Sequence, residues 1–219
     1  MVKWVKEHGL LLVNVVLFLG FFVGMTATGW QVYNNDQLDH DGSVVSLLAY
    51  LGTGDFGEAV FENWESEFLQ MGMYVVLTVF LFHRGSAESK PIDRPAPQDA
   101  DPRQSAGKNA PWPVRRGGWA LAIYKRSLSI LFLVLFVASF VLHAVTGARA
   151  YSSDQVVHGG TAVTPIQYLG TSQFWFESFQ NWQSEFMVVA LIVIASVYLR
   201  QQGSPESKPV ATPHRETGD

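Results

Sequence analysis

Phe61-Glu62-Asn63-Trp64-Glu65-Ser66-Glu67-Phe68 returns 118 residues later as Phe179-Gln180-Asn181-Trp182-Gln183-Ser184-Glu185-Phe186. The match continues in both directions without a gap. Residues 28–91 align on 146–209 at that constant offset, and 28 of the 64 positions are identical. Tyr50-Leu51-Gly52-Thr53 recurs as Tyr168-Leu169-Gly170-Thr171, and Gly85-Ser86-Ala87-Glu88-Ser89-Lys90-Pro91 as Gly203-Ser204-Pro205-Glu206-Ser207-Lys208-Pro209. A gapless match this long reads as one folding unit written twice, so each copy constrains the other.

Working outward, apolar residues gather in four blocks: Leu10–Ala27, Phe68–Phe82, Leu128–Val145 and Phe186–Leu199. The first and third are uncharged for 18 residues, long enough to enter a bilayer core as helices. The other two reach that length only if their helices begin upstream, near Trp64 and Trp182. Asp55-Phe56-Gly57-Glu58 has capping-box spacing, and Phe56, Val60, Phe61, Trp64 and Phe68 then follow at helical steps. This predicts an interfacial helical segment continuous with the span, or kinked before it. Lys3, Lys6 and the first apolar block resemble a secretory signal. Their counterpart lies mid-chain, however, so a span is the better reading.

Charge supplies the orientation. Thr28 to Glu67 contains no Lys or Arg but eight acids, and the matching stretch 146–185 has one base, Arg149. The other basic residues lie at the N-terminus, in the linker and in the C-terminal tail. Basic segments near helix ends stay cytoplasmic, which puts both termini and the linker inside and both loops outside. Two spans per copy then insert both copies the same way up, as parallel repeats.

The expected fold is therefore an all-α membrane protein of four transmembrane helices, built as two parallel two-helix repeats with outward interfacial helical loops. The first repeat covers 1–91 and the second 119–209. Pro-rich residues 92–118 read as a disordered cytoplasmic linker and 210–219 as a disordered tail. The absence of cysteine excludes disulfides and thiolate chemistry. No basic patch points to nucleic acid.

Several side chains carry possible chemistry. Glu67 and Glu185 open the short spans, where an embedded carboxylate calls for a partner or a role. Asn63 and Asn181 precede them, Arg149 could neutralise either acid, and His143 lies inside the third span opposite Met25 of the first copy. These six form a candidate relay or binding set. Asp36/His40 and Asp154/His158 are spaced i, i+4, and together offer two carboxylates and two imidazoles to a divalent transition metal. Ser86, Glu88, Ser89 and Lys90, repeated as Ser204, Glu206, Ser207 and Lys208, suggest a cytoplasmic contact, because capping alone does not require Ser-x-Glu-Ser-Lys.

The stretch Phe61–Met71, followed by Arg84-Gly85-Ser86-Ala87-Glu88-Ser89-Lys90, resembles a family of small bacterial integral membrane proteins of unknown function. That resemblance implies the inner membrane of a bacterium and transfers no catalytic residue. No nucleophile–base pair or closed metal motif is visible, so neither enzymatic activity nor a cofactor is expected. The first functional expectation is a non-enzymatic scaffold or accessory protein with the bilayer, a protein partner or a second copy as its company. The alternative is a small proton or cation transporter or channel subunit using the paired glutamates.

Overall fold

The computed structural model describes residues 2–104, 107 and 109–218. The parts of the expected disordered linker and tail at 105, 106, 108 and 219 lie outside these described residues. Helices α1 (Val2–Asp39), α2 (Leu47–Tyr50), α3 (Gly54–Phe80), α4 (Trp112–Arg116), α5 (Gly118–Tyr124), α6 (Ser127–Val157), α7 (Pro165–Tyr168) and α8 (Ser172–Tyr198) follow in order. No strand occurs among the described residues. Within the linker, Pro97–Asp99 forms a 3-10 turn ahead of α4.

Among the described residues, three helices are long and apolar enough to cross a membrane: Lys3–Asp39, Ser127–Val157 and Ser172–Tyr198. The fourth expected span, α3, has the same 27 residues as α8. It carries Glu65 and Gln70 where α8 has Gln183 and Val188, and this polar content separates the two helices. Both start far upstream of their apolar blocks and run unbroken into them. Thr53, rather than Asp55, caps α3: its Oγ1 accepts from the Phe56 amide at 3.2 Å. Thr171 does the same for Phe174 at 3.3 Å. A threonine just before the first turn satisfies one of the helix's orphan amides.

The chain divides into two compact units, each holding stretches of both sequence copies. One contains 1–61 and 141–174. Here α1 ends with Asp41 at φ 58° and a Gly42 amide bonded back to the Gln37 carbonyl at 2.6 Å. At the matching place after α6, Gly159 takes φ 80° and Gly160 bonds to Gln155 at 2.7 Å. This left-handed reversal costs a glycine little and an aspartate more. The extended strap that follows is pinned by Asn34 to Val45 in the first copy and by Ser152 to Val163 in the second. Ser46 and Thr164 then cap α2 and α7.

The same unit brings the start of α3 against α6. A Cβ on Gly54 would collide with the backbone of Ala150, Thr146 and Arg149. We expect Gly54→Ala to destabilise the fold by about 1–3 kcal/mol through overpacking. Gly20→Ala, with nothing within 4 Å of its Cβ, should be neutral or stabilising by up to about 1 kcal/mol. Melting both variants in detergent checks this; equal melting temperatures would show that the backbone approach is not tight.

The second unit contains 62–140 and 175–219. Its α3 segment meets α6 where Gly72 faces Phe132. Trp182 and Trp175 of α8 pack edge-on or tilted against Phe136 and Phe140, with ring centres 6.5 Å apart in each pair. Its polar end is formed by the Gly-Ser-x-Glu-Ser-Lys-Pro segments, which fold into turns.

Candidate functional site

A largely buried polar cluster lies in the first unit. Thr164 and Gln167 form a reciprocal capping box around α7, with Pro165 in its first turn. That box fixes the short helix whose last residue is Tyr168. The Tyr168 ring is fully buried, tilted on Tyr151 at 5.5 Å and edge-on to Phe174 at 5.5 Å. Its hydroxyl donates to Glu58 Oε1 at 3.0 Å. His143, also fully buried, stacks on Phe174 at 4.6 Å with 27° between the planes. One imidazole nitrogen of His143 lies within 4.8 Å of a Glu58 carboxylate oxygen. Gly147 permits the approach, since a Cβ there would meet both Tyr168 and Glu58 Oε1.

The first copy repeats the ring frame without the histidine or an acid equivalent to Glu58; the acid near its tyrosines is Asp55. Tyr33, Tyr50 and Phe56 adopt the same ring contacts at 5.6 and 5.4 Å. Met25 stands where the second copy has His143, and Phe176 occupies the position equivalent to Glu58. An acid, a phenol and an imidazole therefore converge once, on a frame that occurs twice. A carboxylate and an imidazole within this distance can supply two of the ligands of a cation, or exchange a proton through one bridging water.

Of the sequence candidates, His143 belongs to this cluster. Glu67 and Asn63 are exposed, Glu185 and Asn181 half-buried, and Arg149 exposed. Asn181 Nδ2 donates to the Glu177 carbonyl at 3.0 Å. The acid taken out of solvent in that segment is Glu65, at 0 % exposure, which accepts from Trp182 Nε1 at 3.1 Å. Glu65 and Glu67 are two residues apart, about 200° around the helix, so one faces inward when the other faces out.

The repeated Ser-x-Glu-Ser-Lys segments turn their polar groups onto the protein itself. Ser86 Oγ meets Ser196 Oγ at 2.9 Å, and Gly85 donates to Thr217 Oγ1 at 2.8 Å. Ser89 accepts from the His83 amide and Ser207 from the Gln201 amide, both at 2.9 Å. Ser86 and Ser204 accept from the amides of Glu88 and Glu206. Glu88 accepts from the Tyr74 hydroxyl, Lys90 pairs with Asp99 at 2.7 Å, and Lys208 is enclosed by backbone carbonyls.

Asp36/His40 and Asp154/His158 lie at the ends of α1 and α6, in the first unit. The imidazole Nδ1 atoms are 3.4 and 3.3 Å from the respective carboxylates. The Asp36 carbonyl, then its carboxylate, raises His40 above the ordinary imidazole range. The two rings stand 5.7 Å apart.

Glu58 and Tyr168 were not among the sequence candidates. Glu58 reads as one of several acids on a helix, and Tyr168 as half of a symmetric pair. The available signal for Glu58 was asymmetry, since Glu58 and His143 each replace an apolar residue of the other copy; nothing in the sequence marked Tyr168. A family model described as a domain of unknown function, DUF6766, matches residues 1–219. No curated protein and no solved structure matches the chain.

Proposed function

Since the chain belongs to this family of unknown function, we propose from its own residues that it is a multi-pass membrane protein that moves a proton or small cation through the Glu58–Tyr168–His143 cluster. In this reading α3 is a fourth span, the two copies are parallel repeats, and both termini are cytoplasmic. One observation carries it: a carboxylate bonded to a buried tyrosine lies beside a fully buried histidine. His143 sits in one of the helices apolar enough to span a membrane. Ionisable groups in such helices are costly, and they commonly mark ion paths and proton relays. In this reading the relay keeps His143 of the candidate set and takes Glu58 in place of Glu67 and Glu185.

Purified chain in proteoliposomes containing a pH-sensitive dye, driven by a potassium diffusion potential, tests this. Wild type should carry flux, and Glu58→Gln or His143→Gln should each reduce it at least tenfold, a transition-state loss of about 1.4 kcal/mol. Flux unchanged in both variants would remove the cluster from the path. No flux of protons, sodium or potassium in wild type would leave the scaffold or accessory reading in its place.

A further inference from the structure

His40 and His158 occupy equivalent positions in the two sequence copies, and they meet. Their ring centres are 5.7 Å apart with 73° between the planes, at the ends of α1 and α6 within one compact unit. Each Nδ1 lies 2.9 Å from a backbone carbonyl four residues earlier, that of Asp36 or Asp154. A carbonyl oxygen only accepts, so the neutral ring carries its hydrogen on Nδ1 and its lone pair on Nε2. Metal-binding histidines show this arrangement, with one ring nitrogen oriented by an outer acceptor and the other left for the ion.

The spacing suits one shared ion. With metal–nitrogen bonds of about 2.0–2.1 Å and a ring centre about 1.1 Å behind each nitrogen, a tetrahedral ion holds two imidazole centres about 5.1 Å apart, so the rings at 5.7 Å need to close by about half an ångström or open the angle at the metal. The surrounding charge is also favourable to a cation. Asp36 and Asp154 sit beside the rings, Asp39 and Asp41 follow in sequence, and no Lys or Arg occurs from Thr28 to Glu67. Both histidines are exposed, so an ion arriving from solvent needs no opening of the fold.

We propose that His40 and His158 form a two-histidine surface site for a divalent transition-metal ion, bound through both Nε2 atoms, with Asp36 and Asp154 as supporting carboxylates and water completing the shell. The site is separate from the buried cluster and does not depend on its function. Imidazole ligands select Cu²⁺ most strongly and Zn²⁺ or Ni²⁺ less so, while Mg²⁺ and Ca²⁺ prefer all-oxygen shells.

Full-length protein in detergent, stripped with chelator and titrated calorimetrically with Zn²⁺ alone and then Cu²⁺ alone, tests the assignment. One ion should bind per chain, and His40→Gln or His158→Gln should each weaken binding at least tenfold. The double variant should lose little more than either single, because the site needs both rings. Electron paramagnetic resonance of the Cu²⁺ form should show two coupled imidazole nitrogens. Two ions per chain, each lost with one histidine, would overturn the shared site in favour of two separate Asp–His pairs. Affinity unchanged in the single variants, or no binding by wild type at millimolar metal, would overturn it altogether. Melting temperatures equal to wild type confirm that the exposed substitutions leave the fold intact.

Discussion

Tyr168→Ala is expected to destabilise the protein by about 3–5 kcal/mol, the range for deleting a large buried aromatic side chain. Tyr168 has no exposed surface, and its ring is the common neighbour of Tyr151, Phe174 and His143. Truncation would open a cavity that those rings, two on α6 and one on α8, refill only in part. Tyr168→Phe keeps the volume and removes the hydroxyl that donates to Glu58 Oε1. Its expected cost is about 1–3 kcal/mol, because a partly buried carboxylate loses a donor. Tyr50 provides the control: its ring contacts match those of Tyr168, but no carboxylate partner for its hydroxyl occurs among the described residues. Tyr50→Phe should therefore cost less than Tyr168→Phe. Thermal melting in detergent reads all three, and the alanine variant should lose roughly 10 °C for a chain of this length. A loss under about 2 °C would show that the Tyr168 cluster does not hold the unit together.

The comparison of Tyr168 with Tyr50 also shows what could be read in advance. Local geometry recurs at several positions that the two copies share. Thr53 and Thr171 cap their helices, Ser66 and Ser184 bond back to Asn63 and Asn181 at 2.8 Å, and the tyrosine–phenylalanine corners agree to about a tenth of an ångström. Short-range hydrogen bonds depend on neighbours in the chain, and periodicity reports those. Which acid turns inward was not legible, because it depends on helix phase against a packed neighbour. Composition alone does not separate Glu65 from Glu67. His143 is among the candidates read from the sequence, but symmetry does not point to it or to Glu58, because Met25 and Phe176 stand at the equivalent positions of the other copy. Short loops hid a further feature. The Ser-x-Glu-Ser-Lys segments suggest a cytoplasmic contact because capping does not require them, and their hydroxyls accept from backbone amides close by.

Lys208→Met is expected to release the C-terminal tail. Lys208 is 1 % exposed, and its ammonium donates to the carbonyls of Pro213, His214 and Glu216 at 3.3, 3.1 and 2.8 Å. One charged group thus organises the turn that carries residues 209–216 back over it. Methionine preserves most of the aliphatic stem and leaves three carbonyls without this donor. Hydrogen bonds to a charged group are worth about 1.5–3 kcal/mol each, so the loss exceeds what a short tail segment can retain while docked. Lys90, the equivalent residue of the first copy, is the contrast. It pairs with Asp99 at 2.7 Å, but that carboxylate is half exposed, so Lys90→Met should cost only about 0–1 kcal/mol. Hydrogen exchange measured by mass spectrometry on both variants separates the cases. Amides of 210–217 should lose protection by at least tenfold in Lys208→Met and keep it in Lys90→Met. Wild-type protection of the tail in Lys208→Met would mean that Arg200, which donates to the Thr212 carbonyl at 3.1 Å, and Thr217, which accepts from the Gly85 amide, suffice to dock it.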